Sequence, residues 1–311
     1  MSASKLQSKQ KPTGMGTIDR RHFIKAGLAG SLLTTAGINP LQGATLPSPL
    51  PTIDMVKLGN TGMTISRLAL GLGTNGWNRQ SNQTRMGMEK FKTIAHAGYE
   101  RGIRFLDTAD TYGSHICVKE ALKFMPREEI RIMTKIWTEK MDWLPLEPVS
   151  KILDRIRKEM DTDYIDIVML HCLTDPKWTT AKKPFMDALD EAKVRGIVKK
   201  VGYSAHDFGA LKAGIDHSWP DVILSRINHK GSHMDAKPHQ VMEVLAQAHQ
   251  NGKGIIGMKI FGAGNLVEEA DRDASLRYVL GSGNIDTMTI GFESVEQVND
   301  AVDRIMKLSK G

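Results

Sequence analysis

Short apolar runs alternate with longer amphipathic segments along most of this chain. The runs are rich in valine, isoleucine and leucine and have the length of buried strands. The segments between them carry apolar residues at helical spacing, as at Ile152, Ile156 and Met160. The pattern predicts eight strand–helix units, with strands over residues 66–74, 104–109, 130–136, 164–171, 199–204, 221–227, 254–260 and 287–292.

Strands that alternate with helices favour a parallel sheet, because parallel neighbours need a crossover connection. Eight such units in about 250 residues predict an α/β fold, a closed (β/α)8 TIM barrel rather than an open sheet. Residues 71–76 match the Gly-x-Gly-x-x-Gly spacing of an open nucleotide-binding sheet, but helical periodicity does not follow at once. Residues 56–65, with Asn-Thr-Gly at their centre, predict a β-hairpin before the barrel.

The first 44 residues differ in charge from the rest. They hold six basic side chains and one acidic one, Asp19, so most of the net charge of +7 lies there. Residues 17–25, with Arg20 and Arg21 followed by Phe, Ile and Lys, resemble the twin-arginine export motif. The mildly apolar stretch 26–38 is shorter than the roughly 20 residues of a membrane span. We therefore expect a twin-arginine export signal over residues 1–44, a linker over 45–54 and a barrel over 55–311.

This leader implies the twin-arginine translocase as a partner and a periplasmic or otherwise exported location after folding in the cytoplasm. It contains no cysteine, so a lipid anchor is not expected, nor any other stable membrane anchor. The nearly neutral body has no block of Lys and Arg with interleaved aromatic residues, which argues against nucleic-acid binding. Cys117 and Cys172 are too few for a disulfide framework, and we expect free thiols.

Reactive side chains lie at three consecutive predicted strand ends. Asp107 and Tyr112 follow the second strand, Lys135 ends the third, and His171 ends the fourth. In a barrel these ends converge on one mouth, where active sites lie. Asp107 and Lys135 stand within apolar strands, and charges there are seldom buried unless they are paired.

The four side chains suggest a proton-delivery unit. A tyrosine ionises near pH 10, and a neighbouring ammonium lowers that pKa. We expect Asp107 to hold Lys135, Lys135 to acidify Tyr112, and Tyr112 to protonate a developing alkoxide. A neutral His171 would orient the carbonyl oxygen. No metal site and no activated nucleophile is expected, so the second reactant must come from a cofactor, and hydride from a nicotinamide fits.

Residues 102–113, Gly-Ile-Arg-Phe-Leu-Asp-Thr-Ala-Asp-Thr-Tyr-Gly, closely resemble the signature of the aldo-keto reductases. Five further segments in the same order extend the resemblance over nearly the whole mature chain, at 58–73, 163–171, 196–204, 257–264 and 290–297. The resemblance implies a (β/α)8 barrel that binds NAD(P)H across its C-terminal face and reduces a small-molecule carbonyl substrate. The substrate is left open among aldehydes, ketones, keto-sugars and quinones.

The resemblance also implies a cofactor site at the strand ends. It assigns cofactor contacts to Gly73, Thr74, Ser204, Ser225, Met258, Lys259, Gly262, Gly264, Phe292, Glu293, Ser294 and Gln297. Within this set, Lys259 and the glycines 262 and 264 would approach the pyrophosphate, and Ser204 and Ser225 would hold the nicotinamide carboxamide. The chain departs from the family at Ala205, where an asparagine is usual, and at Ser114-His115, where a glutamate usually follows.

The end of the last strand bears on the choice between NADP and NAD. Members that prefer NADP place Lys or Arg there to pair with the 2′-phosphate. This chain has Phe292, Glu293 and Ser294 and then Gln297, without a cation. We expect weak NADP preference or a preference for NAD(H).

Two other functions compete with a reductase. His229, His233 and His239 lie in one segment and suggest a metal enzyme, but no acidic or cysteine partner accompanies them. A catalytically weak barrel that binds nucleotide as a redox sensor or partner subunit is the second alternative, because a fold does not guarantee activity. Trp77, Trp137 and Trp143 are candidate apolar walls of the substrate pocket.

Overall fold

The computed structural model describes residues 50–309, which fold as a closed barrel of eight parallel strands. The expected leader over 1–44 and the first half of the linker over 45–54 lie outside the described residues. The barrel strands are β3 (Leu68–Gly71), β4 (Phe105–Asp107), β5 (Arg131–Ile136), β6 (Ile165–Leu173), β7 (Val198–Ala205), β8 (Val222–Arg226), β9 (Gly254–Met258) and β10 (Thr287–Gly291). Each pairs in parallel with the next, and β10 closes on β3, which confirms the predicted (β/α)8 TIM barrel.

Helices connect the strands and cover the barrel from outside. They are α1 (Asn82–Arg85), α2 (Met88–Glu100), α3 (His115–Ala121), α4 (Val149–Met160), α5 (Trp178–Ala181), α6 (Lys183–Val194), α7 (Phe208–Ala213), α8 (Pro238–Gln250), α9 (Glu269–Gly281) and α10 (Val295–Ser309). In α4 the residues that supplied the helical spacing, among them Ile152, Ile156 and Met160, are buried on one face. No helix within residues 50–309 has the length and apolar character that crossing a membrane requires.

The predicted hairpin is also present, as β1 (Met55–Lys57) paired antiparallel with β2 (Thr64–Ser66). Leu58 and Ile65 from the hairpin pack in the same buried cluster as the inward-facing strand residues. Gly62 at the turn has φ 74°, a conformation that favours glycine. The hairpin thereby closes the end of the barrel opposite the candidate site.

Candidate active site

Asp107, Lys135 and His171 share one inner layer of the barrel because side chains alternate in direction along a strand. Each stands two residues beyond a member of the interior cluster, namely Phe105 on β4, Met133 on β5 and Met169 on β6. The three strand ends therefore place the polar side chains directly above the apolar filling of the barrel, as predicted from the sequence.

Asp107 and Lys135 form a buried ion pair. The Lys135 ammonium donates to Oδ1 of Asp107 and, over 2.9 Å, to the carbonyl oxygen of Thr108. The second carboxylate oxygen of Asp107 accepts from the Thr289 hydroxyl at 2.8 Å. Thr289 faces inward from β10 and was not singled out in the sequence, where nothing distinguishes it from other strand threonines.

Tyr112 ends a short 3-10 turn, Asp110–Tyr112, which follows β4. Its hydroxyl lies 3.3 Å from Nε2 of His171, and the Lys135 ammonium lies 4.9 Å from the centre of its ring. The ring packs against the backbone of Gly73 and Gly76 so closely that a Cβ atom on either glycine would overlap with it. Gly73 therefore makes room for Tyr112, in addition to lining the cavity described below.

The electrostatics of Tyr112 differ from the sequence expectation. Burial raises the pKa of the Tyr112 hydroxyl well above 10, and the charge of Asp107 raises that pKa further. The expected acidification by Lys135 is not found, because the ammonium is paired with Asp107, whose charge raises the pKa of Tyr112. Burial and the charge of Lys135 lower the pKa of His171 well below 6.5, so its imidazole is neutral, as expected.

A cavity of about 1130 Å3 opens above these four side chains. It is large for a small-molecule site, as a dinucleotide with its substrate requires. Eight of the predicted cofactor residues line it: Gly73, Thr74, Met258, Lys259, Gly264, Phe292, Glu293 and Gln297. The backbone amide of Thr74 donates to the Gln83 side chain, which fixes the loop after β3. Burial and the charge of Arg226 lower the pKa of Lys259.

The other four predicted cofactor residues do not line the cavity, namely Ser204, Ser225, Gly262 and Ser294. Gly262 is buried at a turn against Ser232 and Leu266, and the Ser294 hydroxyl accepts from the Gln297 amide at the start of α10. The Ser204 side chain is buried, and its hydroxyl accepts from the backbone amide of Cys172 at 2.9 Å.

The side chain of Ser225, which the resemblance assigned to the carboxamide, points away from the cavity. Val222 and Leu224 belong to the interior cluster, so Ser225 lies on the outer face of β8. Its hydroxyl is buried without a hydrogen-bond partner. Arg226, the next residue, takes the inward position and pairs with Asp235. The residues that line the cavity therefore fit a dinucleotide along the β9 and β10 loops, whereas Ser225 does not face it.

The end of the cavity beside α10 is acidic. Glu293, Glu296 and Asp300 line it, together with one guanidinium, that of Arg272. Arg272 Nε lies 3.2 Å from an Asp300 oxygen but makes no directed hydrogen bond to it. Arg272 was missed in the sequence because it comes from α9, away from any strand end.

The three histidines considered as metal ligands do not converge. His229 lies 3.6 Å from Asp271, and His233 contacts the Asn265 amide. Within residues 50–309 one cluster, Asp110, His115 and Glu159, brings three potential ligand atoms within 4.8 Å of one another. Arginines already bind both of its carboxylates, so the cluster is a network of ion pairs.

The tryptophans and cysteines singled out in the sequence have the following surroundings. Trp77 and Trp137 line the cavity, and Trp143 packs edge-on against Trp77 with ring centres 5.1 Å apart. Cys117 and Cys172 are both free. Cys172 lines the cavity with Sγ 3.4 Å from Nε2 of His206, and burial raises the pKa of its thiol to about 11.

Curated relatives of this chain are reductases and dehydrogenases. Methylglyoxal reductase DkgB of Salmonella typhi is 36% identical over 128 residues, 40% of this chain and 46% of that protein. NADH-specific methylglyoxal reductase of Escherichia coli is 28% identical over 194 residues, 55% of this chain and 58% of that protein. Several of these matches span about half of the relative's length. L-galactose dehydrogenase of Arabidopsis thaliana is 22% identical, over 82% of this chain and 89% of that protein.

Solved structures share the fold. The holo form of an aldo-keto reductase from Bacillus halodurans superposes with a TM-score of 0.64 at 20% identity, over 83% of this chain and 94% of that one. The model of the Aldo/keto reductase family matches residues 69–309, which include all of the barrel except Leu68 at the start of β3. This chain belongs to the aldo/keto reductase family.

Proposed function

We propose that this chain is an NAD(P)H-dependent oxidoreductase that reduces a small aldehyde or ketone to an alcohol. The observation that carries the proposal is the Tyr112 hydroxyl, 3.3 Å from His171 Nε2 at the floor of a cavity lined by the β9 and β10 loops. The names of the methylglyoxal reductase relatives support a small carbonyl compound as substrate.

The chain's own residues supply the proton and its placement. Tyr112 keeps its proton at neutral pH, because burial raises its pKa, and gives that proton to the carbonyl oxygen as the C=O bond is reduced. Neutral His171 donates from Nε2 to the same oxygen and orients it. The ion pair of Lys135 with Asp107 lies under the tyrosine ring and holds the floor of the site in place. Bound nicotinamide supplies the hydride for the carbonyl carbon.

Replacing Tyr112 by phenylalanine tests this assignment. The variant keeps the ring between Gly73 and His171 but loses the proton donor, so kcat for aldehyde reduction should fall about 10²- to 10⁴-fold. The dissociation constant for the reduced nicotinamide cofactor, measured by fluorescence titration, should stay unchanged. Unaltered turnover of a panel of aldehydes would mean that Tyr112 is not the donor.

The nucleotide half of the site supports a preference for NAD(H). Three carboxylates, on Glu293, Glu296 and Asp300, line the cavity end beside α10 against the single guanidinium of Arg272. A 2′-phosphate placed there would be repelled, whereas a ribose hydroxyl could donate to Glu293. Fluorescence titrations should therefore give a lower Kd for NADH than for NADPH. Clearly tighter binding of NADPH would contradict this proposal.

A second candidate function is that of a catalytically weak nucleotide-binding barrel, acting as a redox sensor or partner subunit. The residues expected to hold the nicotinamide support it. Ala205 lacks an amide, Ser225 faces outward, and the Ser204 hydroxyl already accepts from Cys172. Loose holding of the nicotinamide ring would slow hydride transfer. This alternative predicts cofactor binding with turnover that is equally low in the wild type and in Tyr112→Phe.

We also propose that the protein works in the periplasm or an equivalent exported location. The support is the arginine pair Arg20 and Arg21 with the mildly apolar stretch that follows. The twin-arginine translocase, its partner in export, carries folded proteins, and a reductase that acquires its nucleotide in the cytoplasm would need that route.

A further inference from the structure

The loop between β3 and α1 is docked on the turn that carries Tyr112. The backbone amide of Arg79 donates to the carbonyl oxygen of Thr111 at 2.9 Å. Gly113 follows the turn with φ 64°, and a Cβ atom there would overlap with the carbonyl group of Arg79. Only glycine at position 113 lets the two backbones approach this closely.

The side chain of Arg79 also holds the loop against the tyrosine turn. Its guanidinium donates to Oδ1 of Asp110 at 3.2 Å and to Oε1 of Glu159 on α4 at 2.8 Å. Asp110 begins the tyrosine turn, is almost fully buried, and also accepts two hydrogen bonds from Arg155, at 2.9 and 2.7 Å. The guanidinium of Arg79 thus links the loop, the tyrosine turn and helix α4.

His115 completes the network at the position where the chain departs from the family. Its Nδ1 lies 2.7 Å from the second carboxylate oxygen of Glu159, and its Nε2 lies 2.9 Å from the Thr134 hydroxyl. Burial alone would raise the pKa of Glu159, but His115 and the charges of Arg79 and Arg155 lower it to about 2. Two carboxylates thus face two guanidinium groups, and their charges balance.

Trp77, two residues before Arg79, is the part of the loop that reaches the cavity. Trp77 and Gln80 exchange two backbone hydrogen bonds, of 2.9 and 3.0 Å, so the tip of the loop is a closed turn. The indole of Trp77 packs edge-on against Trp137 and Trp143, with ring centres 5.4 and 5.1 Å apart. Half of its surface stays exposed, so aromatic contacts alone cover it incompletely.

We propose that Arg79 is a positioning residue that holds Trp77 at the cavity mouth and thereby determines which carbonyl substrates are accepted. This inference rests on the proposed function, because it concerns the substrate half of the same site. Arg79 itself does not line the cavity; it acts through the loop tip. Its left-handed φ of 56° is uncommon for a residue with a side chain, and the three fastenings described above hold it there.

The kinetic test compares a small substrate with a bulky one. Arg79→Ala should raise KM for 4-nitrobenzaldehyde on the order of fivefold, the scale of one aromatic contact, with a smaller effect on KM for propanal. Its kcat for propanal and its Kd for NADH should stay near the wild-type values, because Arg155 still binds Asp110 and holds the tyrosine turn. Arg79→Lys keeps the positive charge but loses the branched guanidinium. Its KM for 4-nitrobenzaldehyde should lie between the values of the wild type and Arg79→Ala. Arg277→Ala, on the exposed face of α9, is the matched control and should behave as wild type.

A fluorescence test needs no turnover. Release of Trp77 from its two aromatic neighbours should shift the tryptophan emission of Arg79→Ala, and the shift should vanish when Arg79→Ala is made in a Trp77→Phe background. An equal shift in that background, or KM values for the two aldehydes that change in parallel, would overturn the inference. If the wild type reduces neither aldehyde, the proposed function fails, while the emission spectra still decide the role of Arg79.

Discussion

Tyr112 sits in surroundings that favour its neutral phenol. Burial is the largest influence on its pKa, and the negative charge of Asp107 acts in the same direction. The ammonium of Lys135 lies beneath the ring, where Asp107 and the Thr108 carbonyl oxygen already bind it. Lys135 is therefore better described as part of the buried ion pair that supports the tyrosine ring than as a group that acidifies the phenol. His171, held neutral by the same burial, adds no competing charge.

These shifts predict the pH dependence of the reaction. Reduction needs the proton on Tyr112, which is present below its pKa, and that pKa is raised above 10. The pKa of His171 is lowered from 6.5, so its imidazole stays neutral as the pH rises through that value. kcat/KM for aldehyde reduction should therefore show no inflection near pH 6.5 and no fall before about pH 10. Alcohol oxidation needs the phenolate and should rise with pH. A reductive profile with an inflection near 6.5 that disappears in His171→Gln would contradict the neutral assignment.

At the scale of strands and loops, the site follows from the alternation of side chains. Asp107, Lys135 and His171 could be predicted because each ends an apolar run, and period two then puts all three on the inner face. The cofactor role of Ser225 came from the resemblance and not from alternation, and alternation along β8 places its side chain on the outer face. Because the next residue, Arg226, is also polar, the sequence alone does not indicate which of the two side chains faces the interior. The ion-pair network around Glu159 was out of reach, because it joins elements far apart in the chain.

The loop after β3 offers a test of how the tyrosine is seated. A Cβ atom on Gly73 would overlap with Cε2 of Tyr112, so Gly73→Ala should displace the ring from His171. A displacement of about 1 Å at a proton donor can reduce the rate 10²-fold, and we expect a loss of kcat of that order. Gly281→Ala, where a Cβ atom meets nothing within 4 Å, is the control and should retain full activity. Undiminished kcat in Gly73→Ala would show that the tyrosine is not held by this contact.

For the whole molecule, the sequence predicted the barrel, its hairpin and the mouth at which function is expected. Eight apolar runs at regular spacing leave little choice of topology, since parallel strands need crossover helices. The charge of the nucleotide end was only partly predictable. Glu293 follows directly from the end of β10, but Glu296, Asp300 and Arg272 reach the cavity through the packing of α9 and α10. The proposed preference for NAD(H) therefore rests on tertiary structure as well as on the end of one strand.

The first 44 residues are predicted to direct the chain to the twin-arginine export pathway. A conservative double substitution tests this prediction. Arg20→Lys with Arg21→Lys keeps the net charge of +7 but removes both guanidinium groups. In a bacterial host that has the twin-arginine system, the wild-type chain should be recovered in the exported fraction and this variant in the cytoplasm. Lys9→Arg with Lys11→Arg changes the same number of basic side chains outside the motif and should be exported as wild type. Because this route carries folded proteins, the retained variant should also show wild-type reductase activity. If the two double variants fractionate alike, the arginine pair is not a signal, and the excess positive charge of this segment needs another explanation.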